Sequence, residues 1–263
     1  MIQYLIEHGA NIYDFMKQHG YKYLIRACEE QDETYIKYLV KYGTDINKKG
    51  VTHTKINGIK DKYKFNIYEF YEDEYYKDES DEDEFDDCSE NESDKYDDNS
   101  EEDDKKILST PLIITCKYGN LDFVKYLIEH GANVNEVMKD GNTALIVACR
   151  FMRRKYNNTI IKYLIEYGAN VNKKGWQYMK SEPYNKTRFI EATPLIIACL
   201  YEDKSLVQYL VEHEANVNKK ITVKEYSKEN ITTALTIAFR FKNWDIMKYL
   251  VEHGANVKEK NIL

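Results

Sequence analysis

Six copies of one nine-residue phrase constrain this chain more than any other feature of its sequence. They begin at Tyr4, Tyr38, Tyr126, Tyr163, Tyr209 and Tyr249, and the typical copy reads Tyr-Leu-Ile-Glu-His-Gly-Ala-Asn-Val. Successive copies lie 34, 88, 37, 46 and 40 residues apart. The unit is therefore about 33 residues long, with insertions that differ from copy to copy. A unit this short cannot bury its apolar face alone, so the copies must stack and share a core.

A second phrase precedes four of the copies: Thr110-Pro111-Leu112-Ile113-Ile114-Thr115-Cys116 and its counterparts from Thr143, Thr193 and Thr233. Thr is a helix-capping residue, and Pro in a first turn has no amide to leave unpaired. Leu, Ile and Ala then form an apolar stripe. After a short turn, Gly119-Asn120 in one copy, Val124, Leu127 and Ile128 recur at helical spacing and predict a second helix. Gly131 stands just past its end, where a left-handed residue closes a helix cheaply.

This organisation resembles the ankyrin-repeat family, in which each repeat is a turn followed by two antiparallel helices. The likeness covers nearly everything outside residues 48–107 and the loop insertions. It implies an all-α solenoid with hairpin fingers: repeats over 1–47, an insertion over 48–107, and four more repeats over 108–263. Departures from the family pattern are specific. Its usual His after Thr-Pro-Leu is replaced by Ile113, Ile146, Ile196 and Thr236, and the second repeat, Lys22 to Cys28, lacks Thr and Pro. Glu214 stands where the helix-ending Gly is expected, so strain or another cap is predicted there. The chain starts within a repeat, so Met1–Ile12 is expected to serve as half a cap, nothing is expected to seal the array after Val257, and both ends should fray.

No run of eighteen apolar residues exists, so no membrane span is expected. The first residues lack a basic flank, and their apolar stretch is too short for a signal peptide. Five scattered cysteines point to a reducing compartment, cytosol or nucleus. In that setting the Asn-Xaa-Thr triplets at Asn157, Asn185 and Asn230 are chance matches rather than glycan acceptors.

Cys28, Cys116, Cys149 and Cys199 share one position of successive first helices, with Phe239 taking it in the last repeat. Helices pack roughly 8–10 Å apart, too far for a disulfide, so these are expected to be core fillers. His8, His130, His213 and His253 share a position that Tyr42 and Tyr167 fill elsewhere, and residues one repeat apart cannot hold one metal ion. No phosphate loop, nucleophile motif or metal signature is present. The expectation is a monomer that is not an enzyme, with no cofactor and no metal.

In the ankyrin family, the two positions after the first helix's Ala-Cys line the concave binding face together with the hairpin tips. Carried onto this chain they are Lys117-Tyr118, Arg150-Phe151, Leu200-Tyr201 and Arg240-Phe241, with Glu29-Glu30 in the second repeat. The result is a ladder of rings beside Lys117, Arg150 and Arg240, the residue types that anchor interfaces. Two insertions with alternating stretches, Lys173–Ala192 and Lys219–Thr232, are expected to be β-fingers. The first brings Trp176, Tyr178, Arg188 and Phe189 as further candidates. A third, Met152–Asn158, adds three consecutive basic residues to a turn.

Charge divides the chain. Between Glu69 and Asp104, 21 Asp/Glu face 2 Lys, a net of −19; the remainder carries 36 Lys/Arg against 24 Asp/Glu, a net of +12. The acidic tract is nearly free of aliphatics and is expected to be disordered. Ser80, Ser89 and Ser100 each have an acidic residue three places on, the pattern of acidophilic kinase targets. The tract is read either as a solvated spacer or as a segment that competes for the basic face. The sequence thus predicts a scaffold or adaptor that binds a protein partner, best an acidic one, on the concave face and fingers. The alternative is binding of single-stranded nucleic acid by the basic body, with rings stacked on bases.

Overall fold

The computed structural model describes residues 12–52, 108–138, 141–151, 157–181, 186–225 and 228–257. One compact unit comprises Met1–Val51 and Ile107–Leu263, the other Thr52–Lys106. The acidic tract with Cys88 and the three serines, the half cap expected before Ile12, and the chain after Val257 lie outside the described residues.

Ten helices pair off along the described chain. The first helix of each pair is α1 (Ile12–Glu30), α3 (Pro111–Tyr118), α5 (Ala144–Arg150), α7 (Pro194–Leu200) or α9 (Ala234–Arg240). Its antiparallel partner is α2 (Glu33–Lys41), α4 (Leu121–Glu129), α6 (Asn157–Glu166), α8 (Lys204–Glu212) or α10 (Trp244–Glu252). The sequence dictates the start of four of the five first helices. The side chains of Thr110, Thr143 and Thr193 each accept from the amide three residues on, at 3.3 Å. Thr233 and Thr236 cap each other reciprocally, since Thr236 carries a hydroxyl where the other copies have Ile. Asp32, Asn120, Asp203 and Asn243 cap the second helices in the same way.

Where that start signal is missing, the helix is longer than the Lys22–Cys28 stretch predicts. No Thr-Pro precedes Lys22, nothing interrupts the helical backbone there, and α1 extends back to Ile12 over 19 residues. The core follows the apolar stripes. Leu24, Leu112, Leu145, Leu195 and Leu235 occupy one position and are all essentially inaccessible, each such burial contributing about 1.5–3 kcal/mol. Cys28, Cys116, Cys149 and Cys199 are buried free thiols, as expected of core fillers. Phe239 is a correction: it stays 39% exposed, because α9 is the last first helix among the described residues and no further one covers it.

The hairpins leave from the helix-pair junctions. Strands β3 (Gly175–Ser181) and β4 (Lys186–Ala192) pair antiparallel, as do β5 (Ile221–Glu225) and β6 (Lys228–Thr232), so both predicted fingers exist. Their bases pack together through buried Ile190, Ala192, Ile221 and Val223. Strand β1 (Gly50–Val51) pairs with β2 (Leu108–Ser109), with Gly50 opposite Ser109. Helix α1 packs on α3 as one repeat on the next.

First helices pack on one another at every step of the array, whereas the second helices α2 and α4 meet through the Tyr126 hydroxyl, which donates to the Lys37 carbonyl at 3.5 Å. A cavity of about 230 Å³ opens between those two, lined by Ile36, Phe123 and Tyr126 with Lys37, Lys125 and Glu129.

Candidate functional site

The turn after each second helix holds the stack together, and its geometry explains the Asn-Val-Asn ending of the repeated phrase. Asn135 donates from Nδ2 to the Gly168 carbonyl at 2.9 Å and accepts the Asn170 amide on Oδ1 at 2.8 Å. Asn47 does the same to Gly131 and Asn133, Asn172 to Glu214 and Asn216, and Asn218 to Gly254 and Asn256. Only a side-chain amide offers a donor and an acceptor at this reach. The preceding position needs only an acceptor for the amide two residues on, which is why Asp45 serves there as well as Asn133, Asn170 and Asn216. The sequence signal for this clamp is the Asn that recurs at 47, 135, 172 and 218, where the first and last copies carry Tyr13 and Lys258.

Glu214 adopts the left-handed conformation at φ 67°, as Gly131 and Gly168 do at 93° and 85°. It uses no other cap: its amide donates to Val211 and its carbonyl takes the Asn172 clamp. The helix-pair turns repeat the theme, with Gln31, Glu202 and Lys242 in the left-handed region where Gly119 stands in its copy.

The candidate face lies at the opposite ends of the first helices. Tyr118, Phe151, Tyr201 and Phe241 sit in equivalent positions at the C-terminal ends of α3, α5, α7 and α9, half-buried and packed against the core. Their contacts are defined. The Lys117 ammonium lies 5.4 Å from the Tyr118 ring centre. The Tyr201 hydroxyl donates to the Arg150 carbonyl at 3.1 Å, spanning from one repeat to the one before. Arg150 donates through Nη2 to Asn142 Oδ1 at 3.3 Å. Arg240 is exposed, and in the first described repeat Glu30 is exposed and paired with Arg26 at 2.8 Å. The structure brings these residues onto one side of one unit; part of each ring nevertheless packs inward.

Trp176, Tyr178 and Arg188 lie in the first finger, where the backbone register pairs them with Glu191, Phe189 and Met179. Their side chains, the basic residues 153–155 and the finger tips fall outside the described residues. Asn157 is buried and donates to the carbonyls of Ala148 and Phe151, which ties the lengthened turn to α5 and leaves no room for a glycan.

The opposite face is also ordered by the repeat. Tyr126, Tyr209 and Tyr249 stack on His130, His213 and His253 at about 4 Å between ring centres. Each of these histidines engages, through Nδ1, the carbonyl of the tyrosine four residues earlier. Lys37, Lys125 and Lys162 reach over the tyrosine of the following repeat, at 6.0, 5.9 and 5.2 Å. Such contacts are worth about 0.5–1 kcal/mol each at exposed sites. Among the described residues no cluster of three or more His, Cys, Asp or Glu could hold a metal ion. No helix among them is long and apolar enough to cross a membrane.

Burial pushes the four core thiols far above their ordinary range near 9. For Cys28 the Glu29 carboxylate adds to the effect, and for Cys116 the neighbouring Cys149 does. A thiol held protonated is neither a nucleophile nor a metal ligand.

A stack of helix pairs with hairpin fingers, clamped repeat to repeat through one asparagine, defines a class of interaction module. The family model for ankyrin repeats, three copies long, matches residues 91–175 and again 177–261. This is more than half of the sequence, and the chain belongs to the ankyrin-repeat family. The helix pair from Ile12 to Lys41, outside both matches, has the Asp32 cap on its second helix and the Asn47 clamp after it. Ankyrin repeats generally mediate protein–protein interaction and are typically non-catalytic. A comparison with curated proteins gives no match.

Proposed function

We propose that this chain is a non-catalytic scaffold or adaptor that binds a partner protein across the ends of its first helices and its fingers. The observation that carries this reading is the row of rings at Tyr118, Phe151, Tyr201 and Phe241, with cations at Lys117, Arg150 and Arg240, on a face that the fold keeps in register. Half-buried rings beside Arg lose little conformational freedom on binding, which makes them effective anchors. The basic column favours an acidic partner. The scattered cysteines support a reducing compartment, cytosol or nucleus.

The test uses the whole chain to retain partners from extract, followed by affinity measurement on the partner identified. Phe151→Ala, Tyr201→Phe and Trp176→Ala should each weaken binding, the two truncations by about 1–2 kcal/mol, with circular dichroism unchanged. Normal retention by the triple variant would dismiss this face. Nucleic-acid binding by the basic body would instead reveal itself as a steep log-linear loss of affinity with salt.

A further inference from the structure

We propose that the chain associates with copies of itself head to tail, the outer face of its first helix pair receiving the outer face of the last pair of a second copy. This goes beyond the partner reading above and uses none of the four rings of that face.

Exposure, compared position by position, tells which residues face which neighbour. Pro111, Ala144, Pro194 and Ala234 hold one position of the first helices and are buried, whereas Tyr23 at that position of α1 is 39% exposed. Ile114, Val147, Ile197 and Ile237 are buried, and their counterpart Arg26 is exposed. On the second helices Phe123, Ile160, Leu206 and Ile246 are buried, and Tyr35 is partly open. The last repeat seals all three positions and the first opens them, so they face the preceding repeat. At the other end the pattern reverses. Phe239 is open where Cys28, Cys116, Cys149 and Cys199 are sealed, and Val257 where Val134 and Val171 are sealed. Val251 is 43% exposed where Ile128 and Ile165 are buried. These positions face the following repeat.

Every junction inside the array joins a face of the second kind to one of the first, first helix on first helix. Among the described residues α1 has no first helix before it and α9 has none after it. One chain thus carries the two unmatched halves of a single junction. Both halves depart from the repeat in a direction that suits contact. Tyr replaces Pro or Ala at 23, Arg replaces Ile or Val at 26, and Phe replaces Cys at 239; Tyr, Phe and Arg are the residue types enriched in interfaces. Tyr35 interacts electrostatically with both Tyr23 and Arg26, so the three form one cluster. Phe15 extends it, 6.5 Å from Tyr23 between ring centres. Arg26 holds Glu30 at 2.8 Å, and an Arg that engages a carboxylate through its edge still offers its planar face to a ring. Phe239 of the second copy supplies that ring. Head against head would instead set Arg26 beside its own copy, like charge on like. A contact between two different faces does not close at two copies, so further copies add to the row.

The experiment is sedimentation velocity on the full chain from micromolar to millimolar concentration. The average mass should rise through the dimer without levelling there. Tyr23→Lys disables the head and Val251→Lys the tail, each placing a charge in an apolar contact from an exposed position. Each variant alone should associate at least about tenfold more weakly than the wild type. Their equimolar mixture still holds one intact head and one intact tail, so it should form a dimer with wild-type affinity and go no further. Tyr23→Ser and Phe239→Ser repeat the design where circular dichroism shows that a lysine variant is unfolded. A wild-type chain that is monomeric across the range overturns the proposal, and so does a mixture that fails to dimerise. A mass that levels at the dimer and is lost in one variant only marks a symmetric contact and overturns it too. The ring row is read separately, by partner retention, and none of these outcomes bears on it.

Discussion

Replacing Asn135 by Ala isolates the bond that makes the repeats one object. The change deletes the donor to Gly168 and the acceptor for the Asn170 amide while touching no core residue. A hydrogen bond contributes about 0.5–1.5 kcal/mol net, and water can reach this one, so the pair should be worth about 1–2 kcal/mol. In a solenoid that energy belongs to the interface between neighbours, not to one repeat. Loss should therefore loosen the coupling between the repeats on either side as well as lower the urea midpoint. Equilibrium unfolding followed by circular dichroism gives the first quantity. The fluorescence of Trp176 and Trp244, both C-terminal to the clamp, gives the second. Hydrogen exchange adds a local readout, since the Asn170 amide loses its acceptor. Asn135→Asp sharpens the test: a carboxylate can accept but not donate, and it would face the Gly168 carbonyl, so it should cost at least as much as Ala. Asn216→Asp, which copies Asp45, should be neutral within about 0.5 kcal/mol, the range of surface changes. An Asn135→Ala chain with unchanged midpoint and unchanged Asn170 exchange would refute the clamp.

Glu214→Gly should stabilise the chain by about 1 kcal/mol in urea unfolding, because the residue is left-handed and a Cβ there is the whole penalty. Gly175→Ala should destabilise by about 1–3 kcal/mol, since its Cβ would stand 2.5 Å from Asn142 Oδ1 and 2.7 Å from Ile146 Cγ2; a wild-type midpoint would contradict that packing. The thiols give a pH prediction. Their folded pKa values are raised, so the stability they contribute is full below the unfolded value near 8.5 and declines as pH rises above it. Each of the four should lose about 1.4 kcal/mol per pH unit there, and a Cys149→Ala variant should show a correspondingly shallower fall in urea midpoint between pH 8.5 and 10. Native-state thiol labelling at Cys28, Cys116, Cys149 and Cys199 should track global unfolding; fast labelling under native conditions would contradict their burial.

The repeat period, the two helices per unit, their Thr caps and the fingers were all legible in the sequence, because each is a local signal recurring at a fixed position. The cysteines' role followed from that recurrence too. What the sequence could not supply is what depends on a neighbour. The Asn clamps bond across 33 to 86 residues, and nothing local to Asn47 reveals that its partners are Gly131 and Asn133. Likewise, nothing local to Gly50 reveals that it pairs with Ser109. The ring row was legible as a list of positions, but only the fold showed Tyr201 reaching back to Arg150, or Phe239 uncovered where its cysteine counterparts are sealed. Position within a repeat is set by the chain itself, whereas burial and bonding at that position are set by the repeat that stacks on it.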